Sequence, residues 1–596
     1  MAPAGSSNMN EEDDNGISYN DDDDDVDSDE EYDDAPTFID MNSAVEVYVP
    51  DAGPGGDDDD DDDDDDAMAV AAMDEDDDDD RSFSSSVVES SNVVDVSSHT
   101  FGSHADSVYA VASHHDPSTR TLLVASGGGD DRAYLHVVVD SGTATNATTN
   151  ATTNTTTASV TVPLSHPHAD SVSCLSFNSP YVDGDVSGKR QRELLAAGSY
   201  DGSIALYDVD DARRGAASGA GTAAAAADPV LVLEGPSDVE FVSFHPRGGT
   251  VLLAGSVSDG TVWMYHAPTG RCMQVFVGHE GGATAGSFTP DGRWVVTAGQ
   301  DGTCRVWAPK TGVGRHVFRL AEGGGSGGSN DRGGGGGGGG GGEKEEEEGG
   351  GGLTCLAVGG GQDGQLAACG GTDGRAYVVH VSGKKLIAKL AHYEAPPPPT
   401  TAAAGGNGGA DGDATNDMDD DDDAGGGGGG GGGEARSVEA VGFCPPDVVG
   451  TANWVATGGV DGTLKVWNTA NAGVGGGGAQ MRHRCVRPRD GGAAGGGGGG
   501  GVVVAAAAGI TRLRWHDALP LVFCSYTDGA VCAWDARTGK LVETMTGHGD
   551  MINDMSVVSF VGGGGADGSL GGGATTTAVV VTGSDDRKVK VFEFRP

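Results

Sequence analysis

The chain has 596 residues, of which 106 are glycine, and its formal net charge at pH 7 is −56. Residues 1–80 hold 35 Asp or Glu and no Lys or Arg, so the acid is concentrated at one end. This charge would repel nucleic acid and attract a basic protein, so we expect no direct nucleic-acid binding. Runs such as Asp57 to Asp66 repel themselves and bury nothing, which predicts a disordered acidic tail over residues 1–92.

The start of the chain lacks the basic and apolar regions of a secretory signal. No apolar stretch approaches the roughly 18 residues that cross a bilayer, so we expect no membrane insertion. The nine cysteines are scattered singly without CxxC pairs, which favours reduced core thiols over disulfides or zinc sites. We therefore expect a monomer in the cytoplasm, or also in the nucleus, that binds no metal and no cofactor.

In chain order, one pattern recurs eight times: a short apolar strand, a tight turn that is usually Asp-Gly, and a second strand rich in β-branched or aromatic residues. The clearest copies are Trp294 to Gly312, Asn453 to Ala470 and Leu521 to Gly539. Another short strand precedes each pair, often after a histidine, and a fourth begins after it. Four short strands in about 40 residues are typical of one blade of a β-propeller.

The predicted fold is therefore all-β, a single eight-bladed propeller over residues 93–596. Each blade has two apolar faces that only neighbouring blades can cover, so the blades must close into a ring. We predict that the β-prone segment Val93 to Phe101 completes the last blade, because the final strand, Val589 to Phe594, lacks an outer partner. Disordered low-complexity insertions, most of them rich in glycine, are predicted near residues 141–160, 321–352, 394–434, 470–508 and 561–577.

One set of residues resembles a catalytic triad but is better explained as structure. In blade four, His279, Thr297, Asp301 and Trp307 stand where WD-repeat proteins place a hydrogen-bonded tetrad. The turn Asp recurs in other blades without these companions, which favours a structural role that satisfies buried polar groups. We expect a complete tetrad only in blade four, since in blade eight Phe592 replaces the tryptophan.

No nucleophile, metal set or cofactor loop occurs in the sequence, so we do not expect an enzyme. The glycine run before Glu343 lacks the Gly-Lys-Ser/Thr ending of a phosphate loop. Arg482 to Arg489 is the only basic cluster, and it is interpreted as a solvated loop or a counter-charge to the acidic tail. Trp534, Asp535 and Arg537 fit the WDxR ending that some propellers use to dock on a ubiquitin-ligase adaptor, although Trp-Asp also simply ends a blade.

Acidic residues gather near the innermost strands, where propellers usually receive ligands. Asp106, Asp170 and Asp238 fall in the loops that precede these strands, where a turn-capping role is the simpler interpretation. Glu240 and Glu439 lie within the strands themselves, and there a carboxylate must face water or a cation, since burial without a partner is costly. These five residues are the candidate binding site for a basic protein.

Four segments carry a resemblance to a known family: residues 237–281, which begin SDVEFVSFHP, residues 288–294 (FTPDGRW), residues 437–443 (SVEAVGF), and residues 534–555, which begin WDARTGKLVETM. The chain resembles the angio-associated migratory cell protein family of WD-repeat proteins, which also has an acidic amino-terminal region. The fungal counterpart is a dedicated chaperone of a large-subunit ribosomal protein. The resemblance implies that the acidic top of the propeller captures the basic amino-terminal segment of such a client, through the same five carboxylates.

The sequence therefore predicts a protein-binding propeller that acts as a chaperone or scaffold in ribosome assembly. A histone chaperone would use the same acidic tail on a different basic protein. A substrate receptor of a cullin-RING ubiquitin ligase would place Arg537 at the adaptor interface. A signalling scaffold in cell migration is the third alternative, and it is compatible with the chaperone role.

Overall fold

Within the residues that it describes, the computed structural model contains eight four-stranded antiparallel sheets and one short helix. The acidic segment 1–92 and the predicted insertion 394–434 lie outside the residues that the structure describes. Those residues are 94–116, 119–139, 158–166, 168–178, 192–218, 225–321, 351–361, 363–393, 436–446, 448, 450–472, 478–488, 508–562 and 575–596.

The chain begins its described part with the short strand β1 (His99–Phe101), and the first four blades follow. Blade one contains β2 (Val108–Asp116), β3 (Thr121–Gly128), β4 (Ala133–Val139) and β5 (Ala158–Pro163). Blade two contains β6 (Val172–Phe177), β7 (Leu194–Ser199), β8 (Ser203–Asp208) and β9 (Leu231–Glu234), with helix α1 (Val209–Ser218) after β8. Blade three contains β10 (Phe241–Phe244), β11 (Val251–Gly255), β12 (Val262–His266) and β13 (Arg271–Phe276). Blade four contains β14 (Ala283–Phe288), β15 (Val295–Gly299), β16 (Thr303–Trp307) and β17 (Gly314–Arg319).

The last four blades repeat the same order, with the innermost strand first. Blade five contains β18 (Leu353–Gly360), β19 (Leu366–Gly371), β20 (Arg375–His380) and β21 (Lys385–Ala391). Blade six contains β22 (Val438–Phe443), β23 (Trp454–Gly459), β24 (Thr463–Asn468) and β25 (Gln480–Val486). Blade seven contains β26 (Ile510–Trp515), β27 (Leu521–Tyr526), β28 (Val531–Asp535) and β29 (Lys540–Met545). Blade eight contains β30 (Ile552–Gly562), β31 (Thr575–Ser584) and β32 (Val589–Phe594).

The Asp-Gly turns form the hairpins between the second and third strands of most blades, as the repeat predicts. Gly302 and Gly462 have φ angles of 70° and 72°, a region that glycine enters without a steric penalty. The Gly302 amide donates a hydrogen bond to the Gly299 carbonyl at 3.1 Å, which closes the turn. The eight-bladed all-β architecture is thus confirmed.

The core lies between the blades. Leu123, Ala125 and Leu135 of blade one pack in one buried cluster with Leu195 and Tyr207 of blade two. Every residue of β3 and β7 is buried, which explains why the second strands read as continuous apolar segments and not as alternating ones. A single blade could not bury both of its faces, so each blade depends on its neighbours for stability.

The amino-terminal strand closes the ring, as predicted. Strand β1 pairs antiparallel with β32, and His99 lies opposite Val591. The residues before it extend the closure to blade seven, because the Val96 amide donates to the Thr546 carbonyl at 3.0 Å. Asp95 forms an ion pair with Lys590, whose side chain is 2% exposed. Closure therefore combines strand pairing with a partly buried charge pair.

Helix α1 was not predicted from the sequence. Its Arg213 guanidinium lies 3.0 Å from the Asp116 carboxylate at the end of β2, so the helix ties blade two to blade one. The helix has only ten residues. Throughout the described part of the chain, helical segments are too short and too polar to cross a bilayer.

The predicted insertion at 470–508 is too wide. Strand β25 (Gln480–Val486) occupies part of it and forms the outer edge of blade six. The basic cluster at Arg482 to Arg489 was therefore wrongly interpreted as a loop, since its first half is an edge strand. Positive side chains on an edge strand hinder pairing with another chain, and the Arg482 guanidinium also lies 4.3 Å from the centroid of the Trp454 ring.

Candidate binding site at the channel mouth

The innermost strands carry a repeated irregularity near their first residue. In seven blades the pairing with the second strand shifts by one residue there, as between Val438 and Ala440 in blade six. The extra residue is a β-bulge, which turns its side chain away from the regular pleat. Glu240, just before β10, holds the corresponding place in blade three. The eight bulge positions are Tyr109, Ser173, Glu240, Thr284, Thr354, Glu439, Thr511 and Asn553.

Four of these side chains lock one blade to the next. Each donates a hydrogen bond to a backbone carbonyl near the start of the following innermost strand. Thr284 donates to the Leu353 carbonyl at 2.9 Å, and Asn553 donates to the Val108 carbonyl at 3.1 Å. The other two pairs are Ser173 with Val239 and Thr354 with Val438. At these four positions the bulge side chain therefore joins adjacent blades.

Glu240 and Glu439 occupy the same positions, but an ionised carboxylate has no proton to donate. Both line one cavity of about 740 Å³ at the channel mouth, together with Tyr109, Tyr200 and Arg512. The structure therefore brings together the two inner-strand carboxylates that the sequence singled out, although they come from blades three and six. At these two blades the inter-blade donor is replaced by an acceptor that faces the channel.

Glu240 is half-buried, and the Tyr200 hydroxyl donates a hydrogen bond to its Oε2 at 3.0 Å. Burial raises the pKa of Glu240, and the Tyr200 hydroxyl and the positive charge of Arg512 oppose that rise. Ionising Glu240 therefore costs more free energy than ionising a glutamate in water, and a cation in the channel would offset that cost. Glu439 makes no hydrogen bond or ion pair with any residue that the structure describes, so it is open to a partner.

Arg512 lines the same cavity and was not among the site residues predicted from the sequence. Its Nε lies 3.3 Å from Asp554 Oδ1, and the Val111 amide donates to Asp554 Oδ2 at 3.0 Å. Arg512 and Asp554 each lie one residue after the bulge position of their own strand. The ion pair therefore lies one residue further along the innermost strands than Glu240 and Glu439. The sequence pattern that could have revealed it is the alternation of arginine and leucine in β26. In the structure Arg512 and Arg514 are exposed and Leu513 between them is buried.

The three loop aspartates do not line this cavity. Asp106 and Asp170 are exposed, and each accepts a hydrogen bond from the next backbone amide, at 2.7 Å and 2.6 Å. Asp238 accepts bonds from the side chains of Ser256 and Ser258. These contacts are the turn-capping arrangement that was the simpler interpretation. Asp106 and Asp170 add negative charge around the mouth, whereas Asp238 is largely engaged by its own blade.

The four tetrad residues of blade four are joined by hydrogen bonds. His279 Nδ1 lies 3.1 Å from Asp301 Oδ1, and His279 Nε2 lies 2.8 Å from Thr297 Oγ1. The Trp307 indole donates to the same hydroxyl at 2.9 Å. Burial raises the pKa of Asp301, but its bonds with His279 and Thr303 outweigh burial and hold the pKa well below its usual range. The histidine and hydroxyl are buried, so the set links strands and is unsuited to catalysis.

Blade six contains a second such set, which corrects the expectation that blade four alone would be complete. His392 Nδ1 lies 2.8 Å from Thr457 Oγ1, and the Trp467 indole donates to that hydroxyl at 2.9 Å. His392 Nε2 lies 3.6 Å from Asp461. Burial raises the pKa of Asp461, but bonds with His392 and Thr463 lower it to about 2. The set was missed because 65 positions separate the histidine from the threonine.

Trp534, Asp535 and Arg537 are placed at the end of β28. The Trp534 ring is buried, and Asp535 accepts hydrogen bonds from the Arg537 amide and the Thr538 hydroxyl, both at 2.8 Å. These contacts account for Trp534 and Asp535 as core and turn residues. Within the described residues, no three His, Cys, Asp or Glu side chains are arranged to hold a metal ion.

The fold and the repeats define the class of protein. The family model "WD domain, G-beta repeat" matches residues 161–208, 270–308 and 447–468, which fall in blades one to two, three to four and six. The chain is an eight-bladed WD-repeat propeller, a class whose members are typically non-catalytic scaffolds that bind proteins.

The resemblance to one family of WD-repeat proteins is also confirmed. The chain is 28% identical to the angio-associated migratory cell proteins of Homo sapiens and Canis lupus familiaris over 471 residues, 79% of this chain and 77% of each relative. Among solved structures, it is similar to Saccharomyces cerevisiae Sqt1, with 17% identity, a TM-score of 0.54, and coverage of 84% of this chain and 99% of that one. Chaetomium thermophilum Sqt1 bound to the N-terminus of the ribosomal protein L10 has 18% identity, a TM-score of 0.51, and coverage of 84% and 100%. At these identities the two structures support the fold.

Proposed function

We propose that this protein is a chaperone that holds the basic amino-terminal segment of a ribosomal protein during large-subunit assembly. The observation that carries the proposal is the pair Glu240 and Glu439, two carboxylates at bulge positions that line one cavity at the channel mouth. In this proposal the protein acts as a monomer in the cytoplasm, and Asp106 and Asp170 extend its negative potential around the mouth.

The chemistry of the site fits a cationic peptide. Ribosomal proteins are rich in Lys and Arg, and a free one would adhere to RNA. A guanidinium or ammonium group would relieve the repulsion and desolvation that Glu240 bears, and would give Glu439 its first partner. Release follows when ribosomal RNA competes for the same positive charges with a denser array of phosphates.

The likeness to a solved fungal structure supports the class of client that we propose. A fungal propeller with the same fold has been solved with the N-terminus of the ribosomal protein L10. That partner is known for the fungal protein, and the proposal extends it to this chain on the strength of the two glutamates.

The test is a titration of the full chain with a peptide that corresponds to the amino-terminal segment of L10. We expect Glu240→Gln and Glu439→Gln each to weaken binding about tenfold, and the double variant about a hundredfold, since loss of about 1.4 kcal/mol per charge contact is a factor of ten. Affinity should also fall steeply with added salt, because exposed charge contacts are screened.

The matched control is Glu543→Gln, the same substitution on the exposed outer strand β29. It should bind the peptide as the unaltered chain does. Equal affinity of the double variant and the control would exclude the channel mouth as the site. A histone-tail peptide that binds more tightly than the L10 peptide would contradict the proposed client and favour a histone chaperone.

A further inference from the structure

The lower part of the channel contains a second cavity, of about 390 Å³, with a different character from the mouth. Its lining includes Ser113, Ser176, Arg514 and Ser556, and none of its lining residues is Asp or Glu. Two paired carboxylates lie beside this cavity: Glu193, 3.3 Å from the lining residue His114, and Asp554, which precedes the lining residue Met555 and is paired with Arg512. The channel thus changes from acidic at the mouth to basic below it.

The position of Arg514 in the ring is unusual. It stands three residues after the bulge in β26, directly opposite Phe523 of β27. The equivalent position in each of the other seven blades holds alanine, serine or glycine, for example Ala112, Ser176 and Gly442. One long cationic side chain therefore projects into a layer of small ones, which leaves room for a ligand beside its guanidinium.

Arg514 has no ion-pair partner among the residues that the structure describes. Its Nη1 donates to the Leu513 carbonyl at 3.0 Å, which leaves most of the five guanidinium protons unused. Arg512, by contrast, is paired with Asp554, and Arg213 is paired with Asp116. The Asp554 carboxylate offsets part of the Arg514 charge, but it is itself bound by Arg512 and the Val111 amide. A guanidinium without an ion pair in a confined channel therefore favours a bound anion.

Two hydroxyl groups complete the arrangement. Ser113 Oγ and Ser556 Oγ lie 2.7 Å apart, so one hydroxyl donates to the other. The pair has two protons and uses one of them in this bond, so the second can be donated to a ligand. The same cavity thus offers a positive charge and a neutral donor from three different blades.

We infer that the lower channel is an oxyanion-binding site built on Arg514, Ser113 and Ser556. A planar guanidinium forms two parallel hydrogen bonds with a phosphate or a carboxylate, and that shared chemistry defines the ligand. The oxyanion is either a small free phosphate compound or the carboxylate side chain of a bound peptide. This site is separate from the peptide site proposed at the mouth and does not depend on it.

Calorimetric titration of the full chain with inorganic phosphate, at ionic strength held constant with chloride, tests the first source. A capped Gly-Glu-Gly peptide tests the second. We expect saturable binding of at least one of these probes, and a loss of at least tenfold in affinity in Arg514→Gln. A variant that replaces both Ser113 and Ser556 with alanine should weaken binding less, because it keeps the charge.

The matched control is Arg484→Gln, on the exposed face of the outer strand β25, which should bind the probe normally. Binding of the L10 peptide reports separately on the mouth, and it should survive in Arg514→Gln. Phosphate or glutamyl-peptide binding that persists in Arg514→Gln would overturn the inference, as would the absence of saturable binding of both probes to the unaltered chain. If Arg514→Gln does not fold, unchanged binding in the double serine variant would overturn it too.

Discussion

At the scale of single residues, the informative feature is that one backbone position serves two purposes. Where the bulge residue is Thr284 or Asn553, it stabilises the contact between blades. Where it is Glu240 or Glu439, the same geometry directs a carboxylate into the channel. Stability is given up at two blades, and negative charge is gained at the mouth. Such local exchanges of stability for charge are expected at binding sites.

The raised pKa of Glu240 predicts how peptide binding depends on pH. Only the ionised carboxylate attracts a cation, so affinity is full above the pKa of Glu240 and is lost as pH falls through it. Because burial raises that pKa, the loss should begin at a higher pH than for an ordinary glutamate. Tyr200→Phe removes a bond that favours the ionised form, so it should move the loss to still higher pH.

This prediction is checked by peptide titrations at a series of pH values, from neutral pH down to the usual pKa of a glutamate at about 4.3. Tyr109→Phe is the matched control, since Tyr109 lines the same cavity but its hydroxyl makes no bond with Glu240. Identical pH profiles for the two tyrosine variants would contradict the role of the Tyr200 hydroxyl.

At the scale of strands and blades, buried polar sets anchor individual sheets. In blade six, Thr457 accepts the Trp467 indole proton and contacts His392, so one hydroxyl satisfies two buried groups. Blade one has a related network in which His104 contacts Asp130 at 2.8 Å and Ser126 at 2.9 Å. The sets fix the loop that precedes an innermost strand, and therefore the position of the channel mouth.

Thr457→Val should destabilise the propeller by about 2 to 4 kcal/mol, because it leaves the Trp467 and His392 nitrogens buried without their partner. Thr372→Val, on an exposed turn of blade five, should change stability by less than about 0.5 kcal/mol. Urea unfolding followed by tryptophan fluorescence measures both. A Thr457 variant as stable as the Thr372 variant would show that the second set contributes nothing.

At the scale of the whole ring, stability depends on joining the two ends of the described chain. Strand β1 covers the edge of β32, and Asp95 pairs with Lys590 at the junction. Burial raises the pKa of Asp95, but the bonds with Lys590 and Ser97 lower it to about 2. The carboxylate therefore contributes to closure above its unfolded pKa of about 4, and this contribution is lost as pH falls toward 2.

Closure predicts an asymmetry between two substitutions. Asp95→Asn leaves a buried Lys590 charge without its partner, whereas Lys590→Met leaves only a half-exposed carboxylate. We therefore expect Asp95→Asn to lower the melting temperature more than Lys590→Met does. The difference between the two melting temperatures should be modest, because solvent partly screens Asp95. Thermal scans of both variants, with the exposed Asp517→Asn as control, measure this order. The reverse order would contradict the closing role of the ion pair.

The sequence by itself determined the features that depend on near neighbours. Asp-Gly turns between apolar strands predict the hairpins, their number predicts the eight blades, and the unpaired last strand predicts closure by Val93 to Phe101. Glu240 and Glu439 could be selected because a charge within an inner strand has few positions to occupy. The blade-four tetrad was readable because its members lie within 30 residues of one another.

The tertiary structure alone decided what depends on distant neighbours. Helix α1, strand β25, His392 in blade six and the Arg512 pair with Asp554 were each missed or misread. Strand β25 pairs with β24 of its own blade and was hidden by the glycine runs on both sides of it. The other three depend on a partner in another blade or beyond a long insertion. A propeller brings the first residues of eight separate strands to one axis, so the charge around Glu240 or Arg514 is a sum over the ring. Local pattern cannot supply that sum, because it records the order of residues and not which of them face each other.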